Sequence, residues 1–155
     1  MKTAIIGIGN PLWGDDGLGV HLAQNPDSGL PPDVEVIDGG TPGLDLLRFF
    51  EEYDRLIILD AVNHGGRPGD VIAFTPGETH DIPVCGSPSA HGLDLGFVLR
   101  MRDWLGCRAE VIVVGCEPLH CTAGEGLSEP VTNAIPGIWK KVQRELQVTS
   151  GKDVD

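Results

Sequence analysis

Three aliphatic runs set the frame of this chain. Residues 2–8 (KTAIIGI), 55–62 (RLIILDAV) and 109–118 (AEVIVVGCEP) are close to continuous in apolar character instead of alternating. A strand of that kind is covered on both faces, as the central strands of a parallel sheet are. Residues 33–40 (DVEVIDGG) and 69–76 (GDVIAFTP) read as a second and a fourth strand in chain order.

Helical patterns fall between the strands. Residues 17–26 carry Leu18, Val20, Leu22 and Ala23 and stop at Pro26, and the acidic pair Asp15 and Asp16 stands before the first turn, where the helix dipole favours negative charge. Residues 41–53 start with Thr41 as an N-cap and Pro42 at the first helical position. In 91–105 Leu95, Val98, Leu99 and Met101 are helically spaced and His91 opens the segment. A last helix over 128–147 carries Val131, Ile135, Ile138, Trp139, Val142 and Leu146, with Pro136 expected to bend it or mark its true start.

This alternation predicts an α/β fold, a single three-layer domain over 1–148. Its sheet is twisted, mostly parallel and five-stranded, with helices on both faces, and 149–155 form a flexible tail. A chain of 155 residues is long enough for one core.

A formal net charge of −12 repels polyphosphates, so nucleic acid is not an expected partner. No apolar stretch approaches membrane-spanning length and the N-terminus is unlike a secretory signal, so the expected compartment is the cytoplasm and no membrane partner is expected. Cys85, Cys107, Cys116 and Cys121 follow neither a CxxC zinc pattern nor a secreted disulfide framework and are expected to be mostly plain thiols. The CEPLHC cluster, Cys116 through His120 to Cys121, beyond the fifth strand, carries a minor alternative as a soft-metal or redox site. His21, His64 and His80 have no partner visible in sequence and read as exposed or packing residues.

In an open α/β sheet, ligands gather beyond the carboxyl ends of the strands, and this chain places acids there: Asp16 after the first strand, Asp38 at the end of the second and Asp60 in the third. With His91 at a helix start, Asp16 and Asp60 make two carboxylates and an imidazole, a donor set suited to a borderline divalent metal with positions left for water or substrate. The same residues have plain structural readings as a helix cap, a strand-end acceptor and a polar helix start, and spacing alone does not choose between them. Gly7, Gly9, Asn10, Gly39 and Gly40 read as turn-shaping residues of the rim, and Asp15 as a helix-start charge and not a ligand.

Four separated segments carry a resemblance. GIGNPLWGDDGLG (Gly7–Gly19), DGGTPG (Asp38–Gly43), LIILDA (Leu56–Ala61) and SAHGLDL (Ser89–Leu95), with VVGCEP (Val113–Pro118) downstream, are similar in order and spacing to the hydrogenase maturation endopeptidases. The resemblance implies a monomeric cytoplasmic endopeptidase, aspartyl-type or metal-dependent, that removes a short C-terminal peptide from the nickel-loaded precursor of a hydrogenase large subunit. It places the metal-contacting residues on Asp16, Asp60 and His91, while Gly9, Asn10, Gly39, Gly40 and Thr41 are read as substrate-binding or turn-shaping residues of the rim. Nickel then belongs to the substrate as a recognition signal, and no tightly bound cofactor of the protein's own is expected. Two routes to cleavage stay open: the metal polarises the scissile carbonyl or activates water, or Asp38 or a neighbouring acid acts as general base.

Rival readings are a non-enzymatic nickel-binding or chaperone module using the same three residues, a peptidyl-tRNA hydrolase and a dinucleotide-binding domain. The last requires glycine where Leu12 stands in GIGNPL. The tRNA reading is opposed by the acids after Pro11 and by the net charge of −12.

Overall fold

The computed structural model describes residues 1–41, 43–76 and 95–150. Its strands are β1 (Thr3–Ile8), β2 (Glu35–Gly40), β3 (Arg55–Ala61), β4 (Val71–Phe74) and β5 (Glu110–Cys116). They form one five-stranded sheet in the order β2-β1-β3-β5-β4. β1, β2, β3 and β5 run parallel, and β4 joins the edge antiparallel to β5. Every residue of β3 is buried, which is what its unbroken aliphatic run requires at the centre of a sheet covered on both sides.

The helices are α1 (Leu18–Gln24), α2 (Leu47–Glu52), α3 (Leu95–Leu105) and α4 (Glu129–Ser150). Alternate residues of each strand enter different cores. Ile6, Ile8, Leu56, Ile58, Val111 and Val113 pack with Phe49 and Phe50 of α2 and Leu95, Val98 and Leu99 of α3. Ile5, Ile57, Leu59, Ile112 and Val114 pack with Leu18 and Leu22 of α1 and Val131, Ile138, Trp139 and Val142 of α4. The layers are thus α2 and α3, the sheet, then α1 and α4, as the strand–helix alternation predicts.

Three local expectations are corrected. Thr41 does not cap a helix: it is an exposed bend, and a 3-10 turn, Leu44–Leu46, starts after an extended Gly43 with no side-chain cap. Burial of Leu46, Phe49 and Phe50 decides where that segment winds up. Pro136 does not mark the start of α4, which begins at Glu129 and runs through the proline. The proline is exposed, and four buried side chains on the opposite stripe, at roughly 1.5–3 kcal/mol each, outweigh the ~3 kcal/mol that an interior proline costs. The same helix continues to Ser150, two residues into the segment expected as tail. Among the described residues no helix is long and apolar enough to cross a membrane.

Candidate active site

Asp60 is the penultimate residue of β3 and shares a sheet face with Ile58, towards α2 and α3. One carboxylate oxygen accepts the N–H of Ala61 at 2.8 Å. The other, Oδ2, is sealed from solvent without a hydrogen-bond partner among the described residues. Burial first, and then the charge of Asp16, push the Asp60 carboxyl well above its ordinary value, against the pull of the Ala61 N–H. Asp16 is itself buried, and its carboxyl is also raised by burial, partly offset by the Asn10 N–H, which donates to Oδ2 at 2.9 Å. Two desolvated carboxylates, one raised by the charge of the other and with an oxygen unpartnered among the described residues, form a site with an unmet demand for positive charge.

The loop after β1 makes this proximity geometrically available. Asp16 sits in a four-residue 3-10 turn, Gly14–Gly17, that leads into α1. The turn is drawn onto the strand end by glycine: Gly9 has φ +138°, and a Cβ there would lie 1.8 Å from the Asp16 carbonyl oxygen. A Cβ on Gly7 would lie 1.8 Å from the carbonyl oxygen of Gly19, so α1 packs directly against the β1 backbone. Asn10 closes the bend, accepting the Leu12 N–H on Oδ1 at 3.0 Å and the Trp13 N–H on its carbonyl at 3.0 Å.

Asp15 stands in the first turn of that 3-10 helix, as its position suggests, but its carboxylate is engaged far along the chain. It is fully buried and accepts from the N–H groups of Leu119 (2.9 Å), His120 (3.2 Å) and Ser128 (2.7 Å) and from Ser128 Oγ (2.7 Å). Burial would raise its carboxyl, but the bonds from Ser128, His120 and Leu119 together hold it below the ordinary value. Nothing local in the sequence marks this role, because the donors lie more than a hundred residues downstream.

The remaining candidates divide. Asp38 is at the end of β2, exposed, with Oδ2 accepting from Gln24 Nε2 of α1 at 3.1 Å and Oδ1 from the Gly40 N–H at 3.0 Å. By strand alternation with Ile37 it lies on the α1 face of the sheet, opposite the face that takes Asp60. The structure therefore brings Asp16 and Asp60 together and sets Asp38 apart from them. Gly39 and Gly40 form the bulge at the end of β2, and the Gly40 carbonyl accepts the Gly9 N–H at 2.9 Å. His91 lies outside the described residues, as do His80 and Cys85.

In the CEPLHC cluster, Cys116 is a buried free thiol pushed up to about 11, chiefly by burial, and Cys121 is disulfide-bonded, so it is not one of the plain thiols and offers no thiolate. Among the described residues no group of three or more His, Cys, Asp or Glu side chains is arranged to hold a metal. His64 does have a partner: its N–H donates to Glu117 Oε2 at 2.6 Å, and its Nε2 lies 3.1 Å from the Asp70 carbonyl, which pins the loop after β3.

A doubly wound sheet that gathers desolvated carboxylates beyond its strand ends is the frame of an α/β enzyme with its site on the carboxyl rim. Comparison with known proteins narrows this class. The family model for hydrogenase maturation proteases matches residues 20–145. The hydrogenase expression/formation protein HupD of Rhizobium leguminosarum bv. viciae is 34% identical over 150 residues, covering 94% of this chain and 74% of the relative. The hydrogenase maturating endopeptidase HybD from E. coli superposes with a TM-score of 0.79 at 28% identity, over 96% of this chain and 94% of its own. The NiFe hydrogenase maturation protease HycI from Thermococcus kodakarensis superposes with a TM-score of 0.70 at 25% identity, over 94% and 92%. The chain belongs to the hydrogenase maturation protease family and is a protease. That membership sets aside the dinucleotide-binding, peptidyl-tRNA hydrolase and non-enzymatic readings.

Proposed function

We propose that this protein is the endopeptidase that removes a short C-terminal peptide from the nickel-loaded precursor of a hydrogenase large subunit, and that Asp16, Asp60 and His91 contact the precursor's nickel. The observation that carries the reading is the buried Asp60 Oδ2, unpartnered among the described residues, on a carboxylate raised further by the charge of Asp16. A divalent ion brought by the substrate compensates both carboxylates at once, and a thiolate-bound nickel accepts carboxylate and imidazole donors without leaving its own site. The protein then needs no resident metal, and the working compartment is the cytoplasm, where the precursor is assembled.

Of the two routes to cleavage, the geometry favours the one led by the metal-contacting acids. Asp38 sits on the far face of the sheet and is already engaged by Gln24 and Gly40. Asp16 and Asp60 orient the substrate's metal, and with it the adjoining peptide bond, so positioning supplies much of the effect. The ion supplies Lewis acidity towards the scissile carbonyl or a water.

The test is to incubate the protein with large-subunit precursor, with and without nickel, and weigh the products. Trimming of the loaded precursor alone is expected. Equal trimming of both forms would end the nickel-sensing claim, and no trimming would end the protease–substrate pairing. In the same assay Asp60→Asn is expected to lose on the order of a thousandfold in rate and Asp38→Asn far less.

A further inference from the structure

The rim holds another buried carboxylate that the cleavage chemistry does not use. Among the described residues Asp15 takes four donors, from Leu119, His120 and Ser128 in the segment between β5 and α4. The backbones of the same two segments are also stitched together. Asp15 N–H donates to the His120 carbonyl at 3.1 Å, Gly14 N–H to Gly124 at 2.9 Å, and Gly124 N–H to Leu12 at 2.8 Å.

The 3-10 turn they enclose is only four residues long and has no side-chain cap. Such a turn does not hold its shape unaided. The Asp16 carboxylate, for its part, accepts one hydrogen bond among the described residues, from the Asn10 N–H.

We infer that Asp15 is a positioning residue for cleavage: by anchoring residues 119–128 it fixes the 3-10 turn, and with it the direction in which Asp16 meets the precursor's metal. This rests on the reading of Asp16 given above. Two carboxylates that meet one metal must hold a set geometry, so freedom in the turn is felt in the rate before it is felt in substrate affinity. Asn at position 15 has one acceptor oxygen and an amide that faces N–H donors, and it cannot satisfy the four groups now bound. Ala at position 128 removes one donor of the four and leaves the rest.

The experiment uses the full chain at a temperature where circular dichroism shows each variant folded. With nickel-loaded precursor, Asp15→Asn is expected to lose roughly 100-fold in kcat with KM within about twofold. Ser128→Ala is expected to lose about threefold, restored by Ser128→Thr. Independently of activity, the Asn10 amide is expected to exchange with deuterium about ten times faster in Asp15→Asn while β1 and β3 amides keep their protection.

A lowered melting temperature with wild-type kcat per folded molecule overturns the inference and leaves Asp15 a structural tie. Wild-type protection of Asn10 overturns it as well, even if the wild-type protein cleaves no precursor, an outcome that counts against the proposed function instead. If Asp15→Asn does not fold, Ser128→Ala carries both readouts.

Discussion

Asp60 is a residue held against its own preference. A carboxyl at a buried strand end, with one oxygen unpartnered among the described residues and Asp16 beside it, favours the proton-bound form. Its raised value makes its contribution to stability complete below the ordinary carboxyl value of 3.8 and lost as pH rises through the folded value. Asp60→Asn keeps the shape and removes that loss, so its melting temperature is expected to equal or exceed that of the wild-type protein at pH 7, with a flatter decline from pH 4 upward. A drop of several degrees on substitution, read by scanning calorimetry, would mean that the carboxylate is structurally satisfied and would weaken its assignment as a metal contact. The candidacy of Asp16 and Asp60 was legible because acids at the ends of apolar strands stand out. The work of Asp15 was not, because hydrogen-bond partners such as Leu119 and Ser128 leave no local pattern. Asp38 showed the converse: its place near a strand end was legible, but the face it points to depends on the register of β2 against β1, in which Asp38 pairs with Gly7 and alternates with Ile37.

Elements were legible where one force dominated. The runs at 2–8, 55–62 and 109–118 became β1, β3 and β5 because burial on both faces admits little else. Helix boundaries were less legible, since Thr41 and Pro136 carry local preferences that the packing of Leu46 and of the Val131–Ile138–Val142 stripe overrides. The glycines after β1 are the strictest element-level requirement, and a pair of substitutions separates space from conformation. Gly9→Ala places a Cβ 1.8 Å from the Asp16 carbonyl at φ +138°, whereas Gly40→Ala, at φ +61°, meets nothing within 4 Å. Urea unfolding is expected to show a loss of about 3 kcal/mol or more for the first, and about 1–2 kcal/mol, the cost of a left-handed residue, for the second. Equal losses would mean that backbone conformation alone, and not the approach of the turn to β1, accounts for Gly9.

At the scale of the whole molecule the two ends of the parallel strands have different tasks. The carboxyl end spends stability on buried acids, while the amino end is tied by conventional contacts. The Lys2 N–H donates to Asp54 Oδ2 at 2.6 Å, the Lys2 ammonium lies 4.6 Å from the centre of the Tyr53 ring, and the Tyr53 hydroxyl donates to Glu35 of β2. This latch joins the edge strand β2 to the segment entering β3, and it has its own pH signature. The bond to Glu35, then burial and the charges of Glu35 and Glu52, push the phenol from 10.0 up to about 12. A raised folded value means that the contribution is complete below pH 10 and lost as pH rises towards 12, the opposite end of the scale from acid unfolding. Wild-type protein is therefore expected to melt above Tyr53→Phe at pH 8, with the gap closing between pH 10 and 12, because phenylalanine has no proton to lose. A gap that stays constant across that window would show that the hydroxyl bond to Glu35 does not stabilise the fold, and that the amino end of the sheet is held by the Lys2 contacts and the packing of Tyr53 on Phe49.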